Sequence, residues 1–217
     1  MRNLLSIVLF LALAFSASGS AIIVGGTDAN NVFPFSWYAQ NARYQQFYQG
    51  LPKGFEIRQI SFRTLGDLFY SSDPYWLDTT LGIGTAAAQS TNFGSNLAAD
   101  YRVVYNSPMI FAPGQERDSD GFDLHFYLSN PFTVTGPDQI LVLDVMINSP
   151  VDAFISFAAG YDPRSSRLYE SSGGEGPVAA DSLSLQTQFS DVPEPGTWVL
   201  LGGGLVGLAV FGRRGRK

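Results

Sequence analysis

The 217-residue chain is 45% hydrophobic and 14% aromatic, and it carries nineteen acidic against thirteen basic residues for a net charge of −6. That apolar content furnishes the core of one ordinary domain. The acidic balance argues against the Lys- and Arg-rich surfaces that bind nucleic acid, and the lack of cysteine excludes disulfides, thiolate catalysis and cysteine metal sites.

The chain opens MRNLLSIVLFLALAFSASGSA, with Arg2 as a short positive region, an apolar stretch from Leu4 to Phe15 and small residues from Ser16 to Ala21. This is the three-part layout of a secretory signal, too short to span a bilayer and followed by a cleavable patch. Residues 1–21 are therefore expected to be a signal peptide that engages the Sec translocon. Gly19-Ser20-Ala21 places one cut after Ala21, and Ala17-Ser18-Gly19 offers another.

The next stretch, IVGGTDA (Ile23–Ala29), with FPFSW after it, resembles the mature N-terminus of trypsin-like proteases. Catalysis in that family needs His, Asp and Ser in defined contexts. Here the single histidine, His125, sits mid-chain, no Gly-Asp-Ser-Gly-Gly stretch exists, and a cut after Ala21 would expose Ile22, one residue from the required start. The likeness carries no catalytic expectation.

From there to residue 190 the pattern is β. Strands are expected at Ala42–Tyr48, within FEIRQISFRT (Phe55–Thr64), and at Trp76–Ile83, Tyr101–Tyr105 and Met109–Ala112. In FEIRQISFRT the alternation slips by one around Arg58 and Gln59, which predicts a β-bulge or break there. FDLHFYL sets Phe122, Leu124, Phe126 and Leu128 on one face and Asp123, His125 and Tyr127 on the other, a half-buried strand. ILVLDVMI (Ile140–Ile147) is apolar nearly all round and belongs in the middle of a sheet, with VDAFISFA from Val151 as its hairpin partner and a last strand at Ser182–Phe189. Pro- and Gly-bearing clusters at Leu51–Gly54, Ser72–Pro74 and Ala112–Gly114 punctuate the strands, Ser171–Pro177 reads as a loop, and only Thr85–Ser90 and Asn96–Asp100 hint at helix. Short, regularly spaced strands of this kind predict an all-β fold over residues 22–190, an antiparallel β-sandwich of the jelly-roll type.

Little in this domain reads as chemistry. His125 is a lone histidine with no evident Ser or Cys partner and no G-x-S-x-G, so it is expected to be a strand residue rather than a catalytic base. The acids Glu56, Glu116, Glu170 and Glu175 show no spacing that selects a glycosidase pair. ERDSDGFD gathers Glu116, Asp118, Asp120 and Asp123 beside Gly121, oxygen ligands suited to calcium, although Phe122 breaks the EF-hand pattern. The alternative for this cluster is a solvated turn before a strand, and no cofactor is expected. Trp37, Tyr38, Tyr44, Phe47, Tyr48, Tyr70, Tyr75 and Trp76 crowd the first half, where exposed rings would stack on sugars and buried ones would build the core.

The chain closes with VPEPGTWVLLGGGLVGLAVFGRRGRK. Pro193, Glu194 and Pro195 precede an apolar run of Trp198, Val199, Leu200, Leu201, Leu205, Val206, Leu208, Ala209, Val210 and Phe211, interrupted by glycines and followed by Arg213, Arg214, Arg216 and Lys217. As a helix, Trp198 to Phe211 reaches about 21 Å against a hydrocarbon core of about 30 Å, and its glycines weaken it further. The basic tail stays on the cytoplasmic side. The two prolines deny helix to Val192–Pro195 and keep it extended where the chain leaves the membrane. With both ends set aside, residues 21–195 hold all nineteen acids and eight of the basic residues, a charge of −11.

This ending resembles the PEP-CTERM sorting signal of Gram-negative bacteria, here over residues 191–217. The resemblance implies recognition by an integral-membrane exosortase that cuts near the Pro-Glu-Pro motif. It further implies an inner-membrane anchorage facing the periplasm, at least for a time, and then delivery to the cell surface or the extracellular exopolysaccharide matrix. RYQQFYQG (Arg43–Gly50), the pattern Ile57, Ile60, Phe62 and the later LVLDV are similar to ectodomains attached to other PEP-CTERM proteins, whose shape is that of carbohydrate-binding sandwiches. The expected function is that of a secreted, non-enzymatic surface or biofilm-matrix component, with a carbohydrate-binding module as the alternative and a glycoside hydrolase as a distant third.

Overall fold

The computed structural model describes residues 19–35, 43–65, 75–111, 121–148, 155–170 and 178–191. Among them lie thirteen strands: β1 (Ala21–Val24), β2 (Ala29–Asn31), β3 (Arg43–Tyr48), β4 (Glu56–Phe62), β5 (Tyr75–Ala86), β6 (Arg102–Phe111), β7 (Leu124–Thr133), β8 (Ile140–Ile147), β9 (Phe157–Tyr161), β10 (Ser165–Glu170), β11 (Val178–Asp181), β12 (Leu183–Leu185) and β13 (Thr187–Ser190). They form a four-stranded sheet β1-β13-β4-β7, a six-stranded sheet β11-β10-β3-β8-β5-β6 and a three-stranded sheet β12-β9-β2. Pairing is antiparallel, and no α-helix occurs among the described residues. The protein is all-β. Ile22–Ser190 make one compact unit, and the other described residues, 19–21 and Asp191, belong to a second.

The strands follow from the side chains. Leu141 to Val145 are buried without a break, so both faces of β8 are covered, and β3 and β5 occupy its two edges. On β7, Leu124 and Phe126 are buried while Tyr127 is exposed, in keeping with the alternation of FDLHFYL. The main core takes Ile60, Phe62, Phe126 and Phe189 from the four-stranded sheet. Tyr44, Tyr48, Leu81 and Leu143 come from the six-stranded sheet, and Phe157 and Leu185 from the three-stranded one. Phe35 sits among Phe62, Phe126 and Phe157 at ring separations of 5.4–5.8 Å, and Tyr48 meets Phe189 edge-on at 4.8 Å. Such aromatic pairs each add about 1 kcal/mol to simple burial.

A second, smaller cluster lies on the outer side of the six-stranded sheet. Phe93 and Leu97, in the excursion between β5 and β6, pack on Phe47, Ala86, Val142 and Leu168. The excursion comes this close because β5 carries Gly82 and Gly84 where Tyr101 lies. A Cβ on Gly82 would overlap the Tyr101 ring, and one on Gly84 would sit 2.8 Å from the Tyr101 Cα.

The predicted register slip is present. Between Ile57 and Gln59 of β4 the pairing with β7 jumps from Phe132 to Tyr127, so the surplus residues lie on the partner strand. Several expectations need correction. Of the strand expected from Val151 as the hairpin partner of β8, residues 151–154 lie outside the described residues, and its end, Phe157 and Ala158, belongs to β9, which pairs with β2 and β12 in another sheet because both edges of β8 are already taken. The two strands expected around Pro108 are one, β6, and β7 likewise runs through Pro131. Both are edge strands, where a missing N–H leaves no ladder bond unmade. Ser182–Phe189 is two strands in different sheets, parted at Gln186. Of the two helix hints, Thr85 and Ala86 end β5, and only Gly94–Asn96 winds, as one 3-10 turn. The loop expected at 171–177 lies outside the described residues.

Candidate functional site

The chemically richest point is Asp144, in the middle of β8 and fully buried. Arg43 of β3 donates to both carboxylate oxygens from Nε and Nη2 at 2.8 and 2.7 Å. Gln45 Nε2 donates to Oδ1 at 3.1 Å and the Tyr101 hydroxyl to Oδ2 at 3.0 Å. The network extends to Asn96, whose Nδ2 donates to Gln45 Oε1 at 2.9 Å and whose Oδ1 accepts from the Ser90 N–H at 2.7 Å. Arg43 also lies 5.4 Å from the centre of the Phe93 ring. Its hydrogen bonds to Asp144 hold the guanidinium pKa above its ordinary value, and burial next to that carboxylate pushes Tyr101 up to about 12. A carboxylate bonded by three side chains in this way serves as a structural anchor for the excursion 87–101.

His125 does have a serine partner. Ser61 of β4 stands opposite it in register, with Oγ 2.9 Å from Nδ1, and Gln59 Nε2 lies 3.1 Å from the same Nδ1 and 2.9 Å from Ser61 Oγ. Ser61 is fully buried. In a hydrolytic triad one ring nitrogen takes the serine proton and the other is oriented by a carboxylate. Here Gln59 and Ser61 share one nitrogen, and the arrangement is a cross-strand polar lock.

Of the proposed calcium ligands, only Asp123 falls among the described residues; Glu116, Asp118 and Asp120 lie outside them. Asp123 is buried and turned to Thr64, accepting from its N–H at 2.8 Å and from its hydroxyl. No group of three or more His, Asp or Glu residues with metal-binding geometry occurs among the described residues. Glu56 chelates Arg58 at 3.0 Å, and Glu170 ends β10 in a different sheet; Glu116 and Glu175 lie outside the described residues.

The aromatic residues split. Tyr44, Phe47 and Tyr48 are buried and form no sugar-stacking face. Trp37, Tyr38 and Tyr70 lie outside the described residues, and Tyr75 and Trp76 begin β5. The Tyr44 hydroxyl donates to Gln46 Oε1 at 2.6 Å and the Tyr48 hydroxyl to Thr187 Oγ1 at 2.9 Å. Burial raises the pKa of both phenols. Gln46, itself fully buried, accepts from the Leu185 N–H at 3.0 Å and donates to the Leu185 carbonyl at 2.8 Å, standing in for a strand partner where β12 gives way to β13.

The protease-like IVGGTDA has a packing explanation. Gly25 adopts φ +105° and donates to Asp162 Oδ2 at 3.1 Å, and a Cβ there would meet the Leu185 carbonyl at 2.6 Å. A Cβ on Gly26 would press on Gly160 at 3.0 Å.

Beyond β13 comes Asp191. Its Oδ1 accepts from the Ser20 N–H at 2.6 Å, its Oδ2 from the Ser20 hydroxyl at 2.8 Å, and its own N–H donates to the Ser20 carbonyl at 3.2 Å. The sorting residues Pro193, Glu194 and Pro195, the apolar run Trp198–Phe211, the basic tail and residues 1–18 lie outside the described residues. Among the described residues no helix is long and apolar enough to cross a membrane.

Fold and sequence together define a class: an antiparallel all-β domain with a C-terminal targeting segment. A family model described as the PEP-CTERM protein-sorting motif matches residues 191–217, beginning at Asp191, and the protein is thus a carrier of the PEP-CTERM motif. The motif implies an exported protein, processed by an exosortase and sorted through membrane anchorage to the surface of a Gram-negative cell. Among curated proteins nothing matches the chain.

Proposed function

We propose that the protein is a non-enzymatic component of the bacterial cell surface or exopolysaccharide matrix. Its ectodomain is a jelly-roll-like sandwich delivered through the Sec translocon. The segment Trp198–Phe211 holds it in the inner membrane for a time, with Arg213, Arg214, Arg216 and Lys217 inside, until exosortase cuts near Pro193-Glu194-Pro195. A run of about 21 Å spans poorly, which suits a temporary anchor. The sorting motif at residues 191–217 is the observation that carries this reading. The engagement of Asp123, Asp144 and His125 in structural hydrogen bonds supports a scaffold role, and the burial of Tyr44, Phe47 and Tyr48 weighs against a sugar-stacking platform at those positions.

Fractionation of cells with and without exosortase tests the reading. In the parent strain the protein is expected in the medium or matrix. Without exosortase it is expected in the membrane fraction with Lys217 retained. An identical distribution in both strains would sink the proposal.

A further inference from the structure

The small-residue patch offers two signal cuts, leaving either Ile22 or Ser20 as the first residue. The structure distinguishes them by what each removes. Cleavage after Ala21 takes away the first of the four residues of β1, which is the edge strand beside β13. It also takes away Ser20, whose N–H, hydroxyl and carbonyl all bond to Asp191. Cleavage after Gly19 removes none of these. Ala17 and Gly19 supply the small residues that such a cut requires.

We infer that signal cleavage hydrolyses the Gly19–Ser20 bond and that the new α-ammonium of Ser20 pairs with the Asp191 carboxylate, clamping the mature N-terminus to the first residue of the sorting segment. Water supplies the hydroxyl that completes the Gly19 carboxylate, which leaves with the signal, and the proton that makes Ser20 an amine; the amine takes up a further proton at neutral pH. The nitrogen already stands 2.6 Å from Asp191 Oδ1, so an amide hydrogen bond becomes a charge-assisted one in place. The clamp holds Asp191, the first residue of the matched sorting motif. This inference rests on the reading of the N-terminal stretch as a cleaved signal.

Two measurements test it on the full-length protein expressed with export. Mass spectrometry of the N-terminal peptide is expected to begin at Ser20. A peptide beginning at Ile22 would overturn the inference and leave the signal reading standing; one beginning at Met1 would overturn both. For the exported protein, Asp191→Asn is expected to lower Tm by about 2–4 °C at low salt, and by less than half that in 1 M NaCl, where ion pairs are screened. No Tm change at low salt, or a loss that persists unchanged in 1 M NaCl, would contradict the ammonium–carboxylate pair.

Discussion

Asp144 is the residue on which the outer layer of the six-stranded sheet depends. Its carboxylate takes hydrogen bonds from Arg43, Gln45 and Tyr101, and the two bonds of Arg43 match the fork of the guanidinium to both oxygens. Removing one partner of a buried pair leaves the others desolvated and unpaired, so Asp144→Ala is expected to destabilise the fold by about 3 kcal/mol in urea titrations. The exposed Glu56–Arg58 pair sets the contrast, and Glu56→Ala is expected to cost less than about 1 kcal/mol. Near-equal losses in the two variants would contradict this ranking. The Ser61–His125 lock belongs to the same scale, and it escaped sequence reasoning for a physical reason. The two residues are 64 apart and meet only after the irregular register between β4 and β7 is fixed.

Among the elements, the most informative is the break between β12 and β13. The alternation of Leu183, Leu185, Thr187 and Phe189 runs through it unbroken, so a single strand was the natural expectation. What changes at Gln186 is the lateral partner, β9 before it and β4 after it, and the side chain that stabilises the change, Gln46, is 139 residues away from Leu185. Periodicity records which face is buried but not which neighbour supplies the ladder. By contrast, β8 was legible because five consecutive buried residues admit one placement, the interior of a covered sheet. The strands β10 and β11 were missed because SSRLYE and VAAD carry too little alternating apolar character to announce themselves.

The turn between β9 and β10 holds a pH-sensitive element. Asp162 accepts hydrogen bonds from Arg164 Nε and Nη2, the Arg164 N–H and the Gly25 N–H, and these, Arg164 first, lower its pKa to about 2. A carboxyl depressed in the folded state contributes stability that is complete above its unfolded pKa, near 4, and is lost as pH falls through about 2. The contribution is of order 1 kcal/mol, below what the shift alone implies, because Arg164 is half exposed to solvent. The stability difference between the parent and Asp162→Asn is therefore expected to be constant from pH 7 to about 4 and to shrink between pH 4 and 2. A difference that does not shrink in that window would assign Asp162 a different role.

For the whole molecule, the legible parts were the C-terminal sorting motif and the β character of the domain before it. The sorting motif announces itself through three parts in fixed order, Pro193–Pro195, Trp198–Phe211 and Arg213–Lys217, and the family match at 191–217 agrees with that reading. The IVGG stretch shows the opposite case, a local string whose glycines answer to close packing against Leu185 and Gly160 rather than to catalysis. The polar networks of the domain could not be read from the sequence because each is assembled by strand register across large separations. Mass spectrometry of the C-terminus of the surface-delivered protein tests whether this domain is exported and cut from its anchor. A terminus near Pro193–Pro195, with Trp198 to Lys217 missing, is the expected result; a surface form ending intact at Lys217 would contradict it.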